Sequence, residues 1–182
     1  TLQGVMGRYY AEKQNALPQV ALALQQSYDY PRQNIDYLKN NTRYSALLAI
    51  ADGIDTLVGF FALGRMPSGS KDPMALRRAC HGVIKAMVSK NIAIDISACI
   101  HYSLEAYHAQ GFLSDTSAET LTEHLLGFMY DRVAYLLKEA GLTTDVKKIK
   151  DGALGKNILE MWHTAQQLAW MMHHHGDFLD RL

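Results

Sequence analysis

Apolar residues recur at three- and four-residue steps along almost the whole chain, and no stretch alternates apolar with polar residues over a strand's length. That periodicity constrains the fold to packed helices. The spacing predicts a helix over 17–28, with Pro18 in its first turn and Val20 and Leu24 on the inner side. A loop follows from Tyr28 to Asn41, marked by Pro31 and Asn40-Asn41. A long helix is expected from Arg43 to Gly64, its stripe made of Tyr44, Leu47, Leu48, Ala51, Ile54, Val58 and Phe61. Gly64 to Gly69, with Pro67, breaks it.

Asp72 and Pro73 read as the cap and first turn of the next helix, with Leu76, Ala79, Cys80, Val83, Ile84, Met87 and Val88 inward. Another helix spans about 93–109 and stops near Gly111. Thr116 and Glu119 have capping-box spacing ahead of a helix carrying Leu121, Leu125, Phe128, Val133 and Leu136, with Gly141 beyond its end. A last helix is expected over 156–172, turning Ile158, Trp162, Ala165, Ala169 and Met172 inward. Residues 1–142 therefore read as one helical domain, and 143–182 as a linker with the start of a following helical segment.

The chain has 182 residues, enough to bury a core without staples. Lys+Arg and Asp+Glu both total 18, so the formal net charge is zero. A dedicated nucleic-acid-binding domain carries a basic excess, so any RNA contact here is a local patch or depends on neighbouring parts of a larger protein. Cys80 and Cys99 are too few and too far apart for a disulfide framework or a zinc site, and read as buried free thiols in a reducing cytoplasm. No apolar run reaches the roughly 20 residues that cross a bilayer. The opening Thr1-Leu2-Gln3-Gly4 has neither a methionine nor a signal-peptide pattern, which reads as an excised internal piece. A phosphate loop, a G-x-S-x-G nucleophile turn and an H-E-x-x-H helix are all missing from the sequence.

Two segments carry a resemblance. One is Leu2-Gln3-Gly4-Val5-Met6-Gly7 with Tyr10-Ala11. The other is Ala51-Asp52-Gly53-Ile54-Asp55-Thr56-Leu57-Val58-Gly59, continued by Ser70-Lys71-Asp72-Pro73 and Ala75-Leu76-Arg77-Arg78-Ala79. In residues and order they resemble the middle of the β subunit of bacterial-type glycyl-tRNA synthetase, strongly over 1–90 and less so to 140. The resemblance implies an all-α fold, a degenerate HD-domain-like helical bundle with a trailing C-terminal helix. It implies a cytoplasmic glycine–tRNA ligase in which this part helps bind and position tRNA. Catalysis, with ATP and Mg, would belong to an α subunit, in a heterotetramer or fused to the same chain. No membrane, no catalytic residue, no metal and no cofactor is expected in this part itself.

An HD phosphohydrolase holds a divalent metal through a His-Asp pair and distant His and Asp ligands, and the metal activates a water. No histidine here precedes an aspartate; Lys13-Gln14 stands where relatives can carry the pair. Asp52 keeps the closing position of that pattern, and Asp55 lies one turn on. The plainer reading is that both carboxylates pair with arginines or cap backbone groups.

Arg77, His81 and Lys85 are spaced i, i+4, i+8 on one helix, with Arg78 and Lys71 alongside. Such a row is suited to successive phosphates of a tRNA stem, and equally to a solvated helix face. Free N–H groups at the helix start Asp72-Pro73, after Gly69-Ser70-Lys71, are a second anion-binding possibility, opposed by the Asp72 charge. Tyr28, Tyr30, Tyr37 and Tyr44 cluster around Pro31, near Arg32 and Arg43, either to stack on unpaired bases or to anchor the loop to the core. His173-His174-His175 reads as a helix C-terminus, and His101 and His108 as helix-surface positions. The domain as an architectural spacer, or as a residual HD-type metal- or nucleotide-binding unit, are the alternatives.

Overall fold

The computed structural model describes residues 2–67, 71–112, 117–142 and 157–179, without the side chains of Leu168 and 171–179. These residues form eight helices and no strand: α1 (Leu2–Lys13), α2 (Pro18–Ser27), α3 (Ile35–Leu38), α4 (Arg43–Ala62), α5 (Leu76–Lys90), α6 (Ile96–Ala109), α7 (Ala118–Glu139) and α8 (Ile158–Leu179). The fold is all-α, as the periodicity predicts.

Helix starts and stops follow local chemistry. Thr42 Oγ1 accepts from Ser45 N at the start of α4, Asn34 Oδ1 from Tyr37 N at α3, and Asp95 Oδ1 from Ala98 N at α6. Five helices end on a left-handed residue: Asn15, Gly64, Asn91, Gly111 and Gly141. Each is followed by an N–H that reaches back five residues, as in Ala16 N to Ala11 O (2.9 Å) and Arg65 N to Phe60 O (2.9 Å). The three glycine stops are those expected from sequence.

α4 is the central helix. It packs against α2, α5, α6 and α7; α5 in turn meets α3, α7 and α8, while α1 lies on α2. By length and mean hydropathy (1.6) α4 is apolar enough to cross a bilayer, although Asp52 and Asp55 interrupt its apolar run. Those are also the properties of a core helix, and Ile50, Ile54, Leu57, Val58 and Phe61 are buried among neighbours. Its first half is turned relative to the expected stripe: Tyr44, Leu47 and Ala51 are exposed, and Ser45, Ala46 and Ile50 face inward. Docking of α2 on this end decides the phase. α2 turns Ala21 and Ala23 inward and leaves Val20 exposed, because two helices close together need small residues between them.

Glycines set the tightest contacts. A Cβ at Gly53 would lie 2.5 Å from Val83 Cγ2, and one at Gly82 would lie 3.2 Å from Pro31 Cγ. Cys80 is buried, as expected, whereas Cys99 is only partly covered. Helix α7 is capped at Ser117, with no side-chain cap bond; Thr116 of the expected capping box lies outside the described residues, as do 143–156. Ile158, Met161, Trp162 and Ala165 of α8 join the same apolar core as α5 and α7. The three histidines 173–175 fall inside α8 and not at its end.

Candidate nucleic-acid interface

The start of α5 is built differently from the pattern expected. Residues 72–75 form a turn, closed by Ala75 N to Asp72 O (3.1 Å), with Pro73 at its second position. Ala75 adopts φ +57°, and the helix begins only at Leu76. The Asp72 carboxylate reaches over the turn to accept from Leu76 N (2.8 Å) and Arg77 N (3.1 Å). Asp72 is thus the cap, but Pro73 lies outside the helix. The N–H groups offered to an external anion are already taken by a carboxylate.

The row Arg77, His81, Lys85 is half-buried and not an open face. His81 stacks on Tyr135 of α7 (ring centroids 5.3 Å apart, 11° between planes), and its Nε2 is buried with no hydrogen-bond partner. Burial, then the nearby Lys85 and Arg132 charges, push its pKa down to about 4. The middle of the row is therefore neutral at pH 7. Lys85 Nζ donates to the Gln33 carbonyl (3.0 Å), which ties α5 to the loop before α3. Burial lowers the Lys85 pKa, opposed by Glu139. Lys90 makes a parallel bond to the Lys39 carbonyl (2.7 Å).

Arg78 and Lys71 are exposed. Arg78 lines a cleft of about 330 Å³ between the α2–α3 loop, α4 and α5, together with Arg32, Asp52 and Tyr28. Lys71 lies in a smaller neighbouring hollow with Arg65 and Asp72. The structure thus gathers Arg78 and Asp52 into one place and leaves Lys71 outside it.

Asp52 and Asp55 are both exposed, and no ion pair among the described residues engages either. The expected arginine pairing is absent because each side chain leaves α4 toward solvent. Asp55 accepts instead from Ser103 Oγ (3.5 Å), and its carbonyl from Tyr107 OH (3.4 Å). Among the described residues no group of three His, Cys, Asp or Glu is placed to hold a metal.

The tyrosine cluster divides. Tyr30 is completely buried, with its hydroxyl 3.3 Å from Ser45 Oγ, and anchors the loop. Tyr28, Tyr37 and Tyr44 are exposed. His101 lies on the α6 surface beside Glu105 (3.2 Å), and His108 is exposed on the same helix.

The glycyl-tRNA synthetase β-subunit family profile matches residues 1–149. The chain belongs to the glycyl-tRNA synthetase β-subunit family. It is 41% identical over 145 residues to the glycine–tRNA ligase β subunit of Aromatoleum aromaticum, covering 80% of this chain and 20% of that protein. To the same subunit of Shouchella clausii it is 36% identical over 161 residues, 88% of this chain and 22% of that one. To that of Pseudomonas aeruginosa it is 37% identical over 145 residues, 80% and 20% respectively. The chain spans about a fifth of the length of these relatives. The cleft, the α5 row and the Asp72 turn all fall inside the stretch that matches the glycyl-tRNA synthetase β-subunit family. In the sequence Arg32 and Tyr28 stand out only as part of the aromatic cluster around Pro31. Nothing in the linear sequence signals that Pro31 docks on Gly82 and so brings Arg32 to α5.

Proposed function

We propose that this chain is the part of a glycine–tRNA ligase β subunit that helps bind and orient tRNA while an α subunit performs aminoacylation. Family membership over residues 1–149 is the observation that carries this reading. On this view the bundle is a degenerate HD-like domain of a cytoplasmic enzyme. ATP and Mg serve the α subunit, as a heterotetramer partner or a fused portion. The contribution of this part is orientation, which lowers a barrier by holding reactants in place.

Of Lys71, Arg77, Arg78, His81 and Lys85, the exposed pair is Lys71 and Arg78. Arg77, His81 and Lys85 would support the same surface from a half-buried row. Reversing Lys71 and Arg78 to Glu in the intact protein tests the role. Each lost phosphate contact should lower the salt slope of glycine-tRNA binding by about 1, and charging should slow.

A second reading, an architectural spacer, is favoured by one observation: His81 and Lys85 are engaged in packing and in a loop bond. Unchanged tRNA affinity and unchanged charging in the reversed variant would select it.

A further inference from the structure

The cleft between the α2–α3 loop, α4 and α5 has features that a solvated helix face lacks. It is walled by residues of α1, the α2–α3 loop, α4 and α5, and the last three are tied to one another. Pro31 packs tightly on Gly82, where a Cβ would lie 3.2 Å from Pro31 Cγ, Lys85 holds the Gln33 carbonyl at 3.0 Å, and Arg32 Nη1 donates to the Tyr28 carbonyl at 2.9 Å. Arg32 therefore sits on a pinned segment. On the α5 side, Ala75 lines the cleft in a left-handed conformation, unfavourable for a residue with a Cβ. Such strain is concentrated where a backbone must place a functional group.

The charges in the cleft are unpaired with each other. Arg78 and Asp52 both line it, and no ion pair joins them or engages either among the described residues. Two guanidinium groups and one carboxylate leave a net positive site, with Gln3, Ser27 and Thr56 as further polar lining. Guanidinium groups recognise phosphate through paired N–H donors. A lone carboxylate beside them accepts from a hydroxyl or an exocyclic amine. The partly exposed Tyr28 ring adds an aromatic face for a planar group. The volume, about 330 Å³, is at the small end of ligand sites, which run from about 300 to 1,000 Å³.

We propose that this cleft binds a nucleoside monophosphate unit, with Arg32 and Arg78 on the phosphate, Asp52 on a ribose hydroxyl or base amine, and Tyr28 against the base. The unit is either a free mononucleotide or the unpaired 3′-terminal nucleotide of an RNA strand. The proposal goes beyond tRNA orientation, since the free-nucleotide case stands without it.

Calorimetric titration of the intact protein tests it, using AMP, CMP, adenosine, inorganic phosphate and a single-stranded RNA tetranucleotide. Saturable binding of AMP or CMP is expected, at least tenfold tighter than adenosine or phosphate alone. Arg78→Ala and Arg32→Gln should each weaken it at least tenfold at an unchanged unfolding temperature. Asp52→Asn should weaken nucleotide binding and spare inorganic phosphate. Tetranucleotide binding tighter than AMP, and lost in Arg78→Ala, identifies an RNA end as the source; equal affinities identify a free nucleotide. No saturable binding of nucleotide or tetranucleotide by protein that still binds glycine tRNA overturns the cleft assignment and leaves the tRNA reading intact. Nucleotide binding retained without any tRNA binding does the reverse. Phosphate bound as tightly as AMP would sink the nucleotide assignment.

Discussion

Gly53 lies where α4 crosses α5, and replacing it with alanine sets two effects of known size against each other. Alanine is the better helix former by about 1 kcal/mol. The new methyl, however, would sit 2.5 Å from Val83 Cγ2 and 3.5 Å from the Ala79 carbonyl. Val83 is completely buried, and a β-branched side chain in a helix has essentially one comfortable rotamer, so it cannot swing aside. Overpacking of that kind costs about 1–3 kcal/mol, and forcing apart two core helices belongs at the upper end. The expected net effect is a loss of roughly 1–2 kcal/mol, the propensity gain included. Gly127→Ala is the matched control: it is also inside a helix, α7, and a Cβ there meets nothing within 4 Å. That change should stabilise by roughly 0.5–1 kcal/mol. Native-state hydrogen exchange of the buried α4 and α5 amides reads the opening free energy of this unit within a larger protein. Gly53→Ala should speed exchange by about 5- to 30-fold, and Gly53→Ala with Val83→Ala should be less damaging than the sum of the two. If Gly53→Ala slows exchange as Gly127→Ala does, steric exclusion by Val83 is not what holds a glycine there.

Three other outcomes follow from the geometry. Asp72→Ala removes the acceptor of the Leu76 and Arg77 amides and should cost about 1–2 kcal/mol, whereas Asp72→Asn should recover most of it; equal loss in both variants, by exchange at those two amides, would refute capping. His81 is held neutral in the fold, so its contribution is complete above its unfolded value of 6.5 and is lost as pH falls toward about 4. Discounted for its partial exposure, the loss is on the order of 1–2 kcal/mol; His81→Phe, which keeps a ring on Tyr135, should flatten that part of the pH–stability curve, and an unaltered curve would contradict it. Tyr30→Phe leaves a buried cavity edge without its hydroxyl beside Ser45 and should cost roughly 0.5–1.5 kcal/mol in thermal unfolding, with no effect if that contact carries no energy.

The glycine stops show how far local chemistry reaches. Gly64, Gly111 and Gly141 end helices as expected, because a left-handed residue closing a helix is decided within six residues. The asparagine stops at Asn15 and Asn91 carry the same geometry with a weaker signal, and α1, which contains Gly4 and Gly7 and whose apolar side chains Leu2, Val5 and Tyr9 are exposed, was not legible as a helix. The four-residue α3 is too short for periodicity to reveal.

The all-α class, most helix boundaries, the inner faces of α5 and α7, and a family resemblance carried by short motifs are legible in the order of residues. Each of these depends on residues within a few turns of one another. Helix packing sets which face of α4 is buried, keeps His81 neutral under α7, and brings Arg32, Asp52 and Arg78 to line one cleft. Those outcomes depend on contacts such as Pro31 on Gly82 and Lys85 on the Gln33 carbonyl. Desolvation and proximity are properties of how helices pack, and residues fifty positions apart carry no periodic mark of meeting.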